Sequence, residues 1–303
     1  MNVEKRAFII VNPHAGRGRA AGLAGPLPAT AKNLGWTVES HTTRYAGEEK
    51  DLAARARAMG WPVVLAVGGD GTVHGVANGL LSDGPTEVIL AHVPIGTGND
   101  FAKILSLEKS RDPKRNLELA LSGTIHRLDV GRALGEYFVN GLGVGFGAEV
   151  VRRSREFKRL KGFALYVAAV YRSFFGFEAP ELEVAAEEYR EQGRLLMVEV
   201  SIGKTAGGGF RLTPEADPSD GMFDVCLIRE VSPLTFLRYV PQVMRGTHGQ
   251  LEPVTIFRTR QARIRCQDTP PLAVHLDGEL RTAEGGEVVC DILPRHIAAL
   301  CAS

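Results

Sequence analysis

"VVLAVGGDGTVHGVANGLL", Val63 to Leu81, is the stretch on which the fold turns. It opens as a buried strand, gathers three glycines around one aspartate, and resumes with apolar residues at helical spacing. A strand that ends in glycines before a helix turns several backbone N–H groups toward one point, where the helix N-terminus adds partial positive charge. Phosphate suits that point. Gly68, Gly69 and Gly71 let phosphate oxygens approach the main chain, and Thr72 either caps the helix from Val73 to Leu81 or donates its hydroxyl. Asp70 cannot ligate phosphate directly, since two anions repel; it fits if a divalent cation or its water shell lies between them. A tight turn with Asp70 or Thr72 as the N-cap accounts for the same residues without a ligand.

Two further loops favour the ligand. In "HVPIGTGNDFAKIL" residues Gly96, Thr97, Gly98, Asn99 and Asp100 again lie between a strand and a helix. The first strand ends in "VNPHAGRGRA", with Asn12, Gly16 and Gly18 beside Arg17 and Arg19. The strands "RAFIIVN", "TVESHTT", "WPVVLAVGG" and "EVILAHVPIG" each lead through a loop to a helix, the second to one around Lys50 to Met59 and the last to one opening near Asn99. This alternation from residue 6 to about 124 predicts an open α/β sheet, whose ligands lie beyond the carboxyl ends of its strands. None of the loops is the lysine-bearing phosphate loop or the GxGxxG dinucleotide fingerprint in its proper context; "GVGFGAEVV" comes near but lies among β runs and reads as a turn and close-packing feature.

After Ile125 the texture becomes β runs separated by turns, which predicts an all-β second domain. Its helical exceptions are Ala148 to about Phe175 and Pro233 to about Arg245, and "EAPELEVAAEEYREQGR" reads as a strand and a hairpin connection. The expected division is 1–126, with 294–303 returning to it, and 127–293. A net charge of +1 in 303 residues gives no reason for a nucleic-acid footprint over the whole surface. Four scattered cysteines and an N-terminus without a signal peptide's apolar core suit the cytoplasm. The apolar stretch from Gly162 to Phe177 is interrupted by Arg172 and falls short of the roughly 20 residues that span a bilayer. Before it, Arg152 to Lys161 carries six basic residues against one acidic. The pair, 152–177, suits an anionic membrane surface, while a solvated helix face beside a helix packed on the β domain explains it without a membrane. The eight histidines form no HExxH set, so a zinc hydrolase has no support, and His14, His74 and His275 read as polar wall residues.

In order along the chain, "NPHAGRG", "HTTRYAGEEKDLA", "GGDGTVHGVANGL", "PIGTGNDFAK", "NGLGVGFGAEV", "GGGFRLTPEADPSDGMFDV" and "HLDGE" resemble the diacylglycerol kinase catalytic family, which includes bacterial soluble lipid kinases, sphingosine kinases and ceramide kinases. The resemblance covers nearly the whole chain. It implies an NAD-kinase-like α/β domain, a β-sandwich-like C-terminal domain and an active site in the cleft between them. By it, Gly68 to Thr72 hold the phosphates of ATP, with Asn12, Thr43 and Thr97 completing the nucleotide pocket. Asp70 organises the catalytic Mg2+, Asp100 supports the same network or the acceptor, and Glu279 matches the family's general base. Asp217, Asp220 and Met222, the last through its carbonyl oxygen, match the ligands of a second, structural Mg2+. Ala15 replaces a usual serine, and Asp217 stands where relatives often have an apolar residue.

An alcohol is about as weak an acid as water, roughly 15.7, against about 4.3 for glutamate, so Glu279 must take the proton late, as the new bond forms. Without the resemblance, "LDGEL" reads as a hairpin turn at Asp277 and Gly278 and "DPSDG" as an Asx turn. The expected function is an ATP-dependent lipid kinase acting on a primary hydroxyl such as that of diacylglycerol, with peripheral contact at the inner membrane face and a homodimer left open. The alternatives are a nicotinamide-nucleotide kinase, disfavoured by "PIGTGNDFAK" and "HLDGE", and a silent nucleotide or lipid sensor, disfavoured by Asp70, Asp100 and Glu279.

Overall fold

The computed structural model describes residues 4–107, 110, 112–154, 163–174, 176–268 and 271–302. The chain divides into two compact units, Met1–Asp129 with Arg295–Ser303, and Val130–Pro294.

The first unit alternates strand and helix: β1 (Arg6–Val11), α1 (Pro26–Asn33), β2 (Thr37–Thr42), α2 (Glu48–Ala58), β3 (Val63–Gly68), α3 (Asp70–Leu80), β4 (Ile89–Pro94), α4 (Asp100–Ile104) and α5 (Pro113–Leu121). β1 lies parallel between β2 and β3, and β3 lies parallel to β4. β1 and β3 are almost wholly buried, as strands covered on both faces must be, and this is why they read as unbroken apolar runs. Glycines bring α3 against α2: a Cβ at Gly79 would lie 2.1 Å from the Lys50 carbonyl oxygen, and one at Gly75 would lie 2.3 Å from Glu49 Cγ. α3 begins at Asp70 rather than Val73, because the Gly69 carbonyl already accepts the N–H groups of Thr72 and Val73 at 3.0 and 3.1 Å.

β5 (Thr124–Ala133) leads into the second unit, followed by β6 (Glu136–Phe138), β7 (Gly141–Gly145), α6 (Phe146–Ser154), α7 (Phe163–Phe174), β8 (Glu181–Ala186), β9 (Arg190–Ser201), β10 (Phe223–Arg229), α8 (Pro233–Arg245), β11 (Val254–Thr259), β12 (Gln261–Cys266), β13 (Leu272–Leu276), β14 (Glu279–Ala283) and β15 (Glu287–Cys301). The end of β15 belongs to the first unit, where Ala298 and Ala299 pair in parallel with Ile89 and Leu90 of β4.

Strand pairing in the second unit is antiparallel and follows the order β14-β13-β7-β9-β10-β11 in one sheet. The early residues of β9 pair instead with β8, which continues to β12 and β15. Alternation sorts the faces. Phe223, Val225 and Leu227 enter the core shared with Val184, Ile264 and Val288, whereas Cys226 and Ile228 face a layer containing Phe146 of α6 and Phe236 of α8. Phe236 stacks on Phe174 with centroids 3.9 Å apart and meets Phe146 edge-on at 5.3 Å. Of the basic stretch 152–161, residues 155–161 lie outside the described residues. No helix among the described residues is long and apolar enough to cross a membrane.

Candidate active site

Three loops leave the carboxyl ends of β1, β3 and β4 and are fastened to one another. Asn12 Nδ2 donates to the buried Thr72 hydroxyl at 3.0 Å, which ties the first loop to the second. Thr72 makes no helix cap; Gly69, in extended conformation, starts α3 with no side-chain cap. The second and third loops meet main chain to main chain: a Cβ at Gly96 would lie 2.5 Å from Gly69 Cα. Ile95 N–H donates to the Gly68 carbonyl at 2.7 Å, and Phe101 N–H donates to Asp70 Oδ1 at 3.1 Å. Asp70, at the head of α3, therefore also caps α4. The first loop reaches the third through Arg19, whose Nη2 donates to the Ile95 carbonyl at 3.2 Å, and through Gly16, whose φ of +59° and close approach to that same oxygen exclude a side chain.

Of the expected residues, Asn12, Gly69 and Thr97 thus lie on the three interlocked loops, Gly68 ends β3, Asp70, Gly71 and Thr72 form the first turn of α3, and Asp100 heads α4. Thr43 is buried just past the end of β2 and donates its N–H to the Val11 carbonyl at 2.9 Å. Asp100 is buried and paired with Lys103 at 2.6 Å, one helical turn away. Neither the Asp70 cap nor the Asp100–Lys103 pair is foreseen from the motifs, although "DFAK" carries the i,i+3 spacing of the latter.

His92 is a further residue the sequence reading misses. It is fully buried on β4, and its Nε2 lies 3.2 Å from the Gly68 carbonyl at the mouth of the glycine loop. Burial, opposed by that hydrogen bond, lowers the imidazole from 6.5 to about 4. Between those values the unfolded chain binds a proton that the folded protein does not, so stability falls as pH drops from 6.5 toward 4 and is fully present above that window. His92→Gln, which keeps a donor toward Gly68, should flatten this part of the dependence of Tm on pH; an unchanged slope would count against the assignment.

In the second unit β13 and β14 form a hairpin whose two turn residues, Asp277 and Gly278, have φ of 51° and 83°, as a type I′ turn requires. The Asp277 carboxylate is buried and accepts the N–H groups of Val139, Asn140 and Gly141 at 3.0, 2.8 and 3.1 Å. Asp277→Ala leaves those buried donors without their acceptor, and at about 1–3 kcal/mol for each unsatisfied group it should lower the unfolding free energy by about 3 kcal/mol or more. Urea unfolding checks this; a loss under about 1 kcal/mol would contradict the anchoring role. Glu279 opens β14 opposite Leu276, half-buried, two residues beyond this anchor. Next but one, Arg281 is held in a bidentate pair by Glu136 at 2.7 and 2.8 Å.

The acidic loop before β10 folds on itself. Asp217 accepts the N–H and hydroxyl of Ser219 at 3.0 and 2.7 Å, and Asp220 accepts Met222 N–H at 3.0 Å while pairing with Arg258. Burial pushes the neighbouring Asp224 up to about 6, with Arg258 opposing it. Arg258 thus supplies the positive charge that Asp220 and Asp224 face. Among the described residues no three or more His, Cys, Asp or Glu side chains are grouped where they could together hold a metal ion.

Residues 6–133 match the diacylglycerol kinase catalytic domain, and residues 141–301 match the YegS C-terminal NAD kinase beta sandwich-like domain. The chain is 29% identical over 296 residues to "Diacylglycerol kinase" of Bacillus subtilis (strain 168), covering 97% of this chain and 95% of the relative. It is 31% identical over 252 residues to "Probable lipid kinase YegS-like" of Alcanivorax borkumensis, covering 82% of each. In fold it is similar to the crystal structure of a diacylglycerol kinase from Bacillus anthracis str. Sterne, with a TM-score of 0.73, 18% identity, and coverage of 99% of this chain and 98% of the other. The chain therefore belongs to the diacylglycerol kinase catalytic family, and lipid kinase is the class of activity that this membership supports.

Proposed function

We propose that the protein transfers the γ-phosphoryl group of ATP to the primary hydroxyl of a membrane lipid such as diacylglycerol. The observation that carries this reading is the backbone-to-backbone contact of Gly69 with Gly96, which joins two glycine loops at the carboxyl end of a parallel sheet. Such a surface offers main-chain donors and a helix N-terminus to phosphate oxygens, and admits them closely because no Cβ stands in the way.

In this reading Gly68, Gly69, Gly71 and Thr72 hold the phosphates, with Asn12, Thr43 and Thr97 completing the nucleotide pocket. Asp70 is half-buried beside the glycine amides, and a carboxylate next to a phosphate cradle fits a cation partner. Magnesium held there would neutralise phosphate charge. Asp100, paired with Lys103, supports the third loop. Glu279 orients the acceptor hydroxyl and takes its proton as the bond to phosphorus forms. At Asp217, Asp220 and Met222, Asp220 is engaged by Arg258 and Asp217 is turned onto Ser219, so neither carboxylate is free for a metal as it stands, and no step runs through that site. The acceptor belongs to a membrane, so peripheral contact follows; α7 and α8 carry Arg172, Arg238 and Arg245 and no acidic residue, which suits an anionic surface.

Incubation with labelled ATP, magnesium and a total bacterial lipid extract, followed by mass spectrometry, tests the proposal. A phosphorylated lipid is expected, absent with Glu279→Ala. A labelled soluble nucleotide and no labelled lipid would overturn it.

A further inference from the structure

On the helix-covered face of the second unit's sheet, Cys226, Glu199, Gly143 and His275 stand directly opposite one another across β10, β9, β7 and β13. Opposed residues of antiparallel strands share a face. Glu199 and His275 are buried, at 1% and 6% exposure, and sit one strand apart with Gly143 between them. Because that strand has no side chain at this position, the two reach over it: His275 Nε2 lies 3.5 Å from Glu199 Oε2. A Cβ at Gly143 would lie 2.2 Å from the imidazole nitrogen and 2.4 Å from the carboxylate oxygen. Gly147 of α6 clears the space from above, where a Cβ would lie 3.2 Å from the same nitrogen, and Gly141 clears it beside Glu199 Oε1 at 3.1 Å. The spacing of glycines in "GLGVGFG" thus fits a gap shaped to this pair.

The pair is a costly way to fill that gap. Neither oxygen of Glu199 has a hydrogen-bond partner among the described residues. A buried carboxylate so placed loses its hydration with little return, and two packed apolar side chains commonly replace a buried ion pair without loss of stability. What the apolar pair lacks is direction: strand pairing with β7 and β14 sets the register of β13, and the polar contact over the glycine adds a directed tie from β9 at the residue before Leu276. His275 is followed by Leu276, the last residue of β13, and Leu276 pairs with Glu279 across the turn.

We propose that His275, held by Glu199 through the gap at Gly143, is a positioning residue that fixes the hairpin carrying Glu279. This rests on the reading of Glu279 as the base for the acceptor hydroxyl. The test compares Glu199→Leu/His275→Leu with wild type in ATP-dependent phosphorylation of the total lipid extract, together with thermal unfolding. The expected result is a kcat lower by about tenfold or more, since small misplacements of a reacting group carry losses of this order, with KM for ATP within about twofold and Tm not lowered. In a Glu279→Gln background the same double change should cost nothing further in kcat, because its whole effect passes through Glu279. A kcat within about twofold of wild type, or a loss that persists in full in the Glu279→Gln background, would overturn the proposal. Should the double variant not fold, Glu199→Gln, which keeps the volume, is measured in both backgrounds and judged by the same outcomes. Full activity of Glu279→Gln itself would instead remove the reading of Glu279, and this inference with it.

Discussion

Gly96→Ala should lower kcat/KM for ATP by about a hundredfold while the protein still folds. The added methyl would lie 2.5 Å from Gly69 Cα and 2.7 Å from Asn99 Oδ1. The first of these neighbours is main chain, which no rotamer change can move aside. Relief comes only by parting the two loops, and the Ile95–Gly68 and Phe101–Asp70 hydrogen bonds lengthen with it. Overpacking of this kind costs about 1–3 kcal/mol, a loss a domain survives, whereas displacing the amides proposed to bind phosphate by about 1 Å should cost about a hundredfold in rate. Gly22→Ala is the control, since a Cβ there meets nothing within 4 Å. Steady-state kinetics against ATP and thermal unfolding of both variants decide the matter. A Gly96→Ala protein within about twofold of wild type would show that the contact between the loops is incidental to nucleotide binding.

Much of this arrangement can be read from the chain before any coordinates. α8 spans Pro233–Arg245 as the sequence predicts, because its signals are local: Ser232 caps it, Pro233 takes the first helical position, and Gly246 turns left-handed after it. β1, β3 and β4 announce themselves as apolar runs because both faces are covered. The start of α3 is less legible. Gly69 begins the helix with no side-chain cap, so the apolar periodicity points three residues too late. α5 is absent from the strand-by-strand reading although Asp112 before Pro113 marks its start, with the carboxylate accepting Lys114 N–H. At the site the residue types were readable and their mutual ties were not. Asp70 capping α4, Asn12 bonding Thr72, and Glu199 reaching His275 all join residues far apart in sequence, and only strand order and register bring them together. "GVGFGAEVV" reads as close packing, and the structure gives its glycines something specific to pack around.

Glu279→Gln should lower kcat for lipid phosphorylation by about 10²–10⁴-fold, the range over which a positioned general base acts, with KM for ATP and Tm little changed. The amide keeps the length and shape of the side chain, and Glu279 is half-buried at the head of β14, so the hairpin has no reason to rearrange. The loops proposed to hold the nucleotide follow β1, β3 and β4, in which Glu279 has no part, so ground-state binding of ATP should persist. Asp277, two residues earlier, provides the contrast. It is buried, it accepts three backbone N–H groups and it holds the turn, so its loss should appear first in unfolding and only through that in rate. Two carboxylates in one hairpin are thus assigned opposite signatures: one in kcat without Tm, the other in Tm before kcat. Measuring kcat, KM and urea unfolding for Glu279→Gln and Asp277→Asn side by side separates chemistry from scaffolding. If Glu279→Gln kept wild-type turnover, the proton would have to leave the hydroxyl by another route, and the catalytic reading of "HLDGE" would fail even though the turn it forms stands.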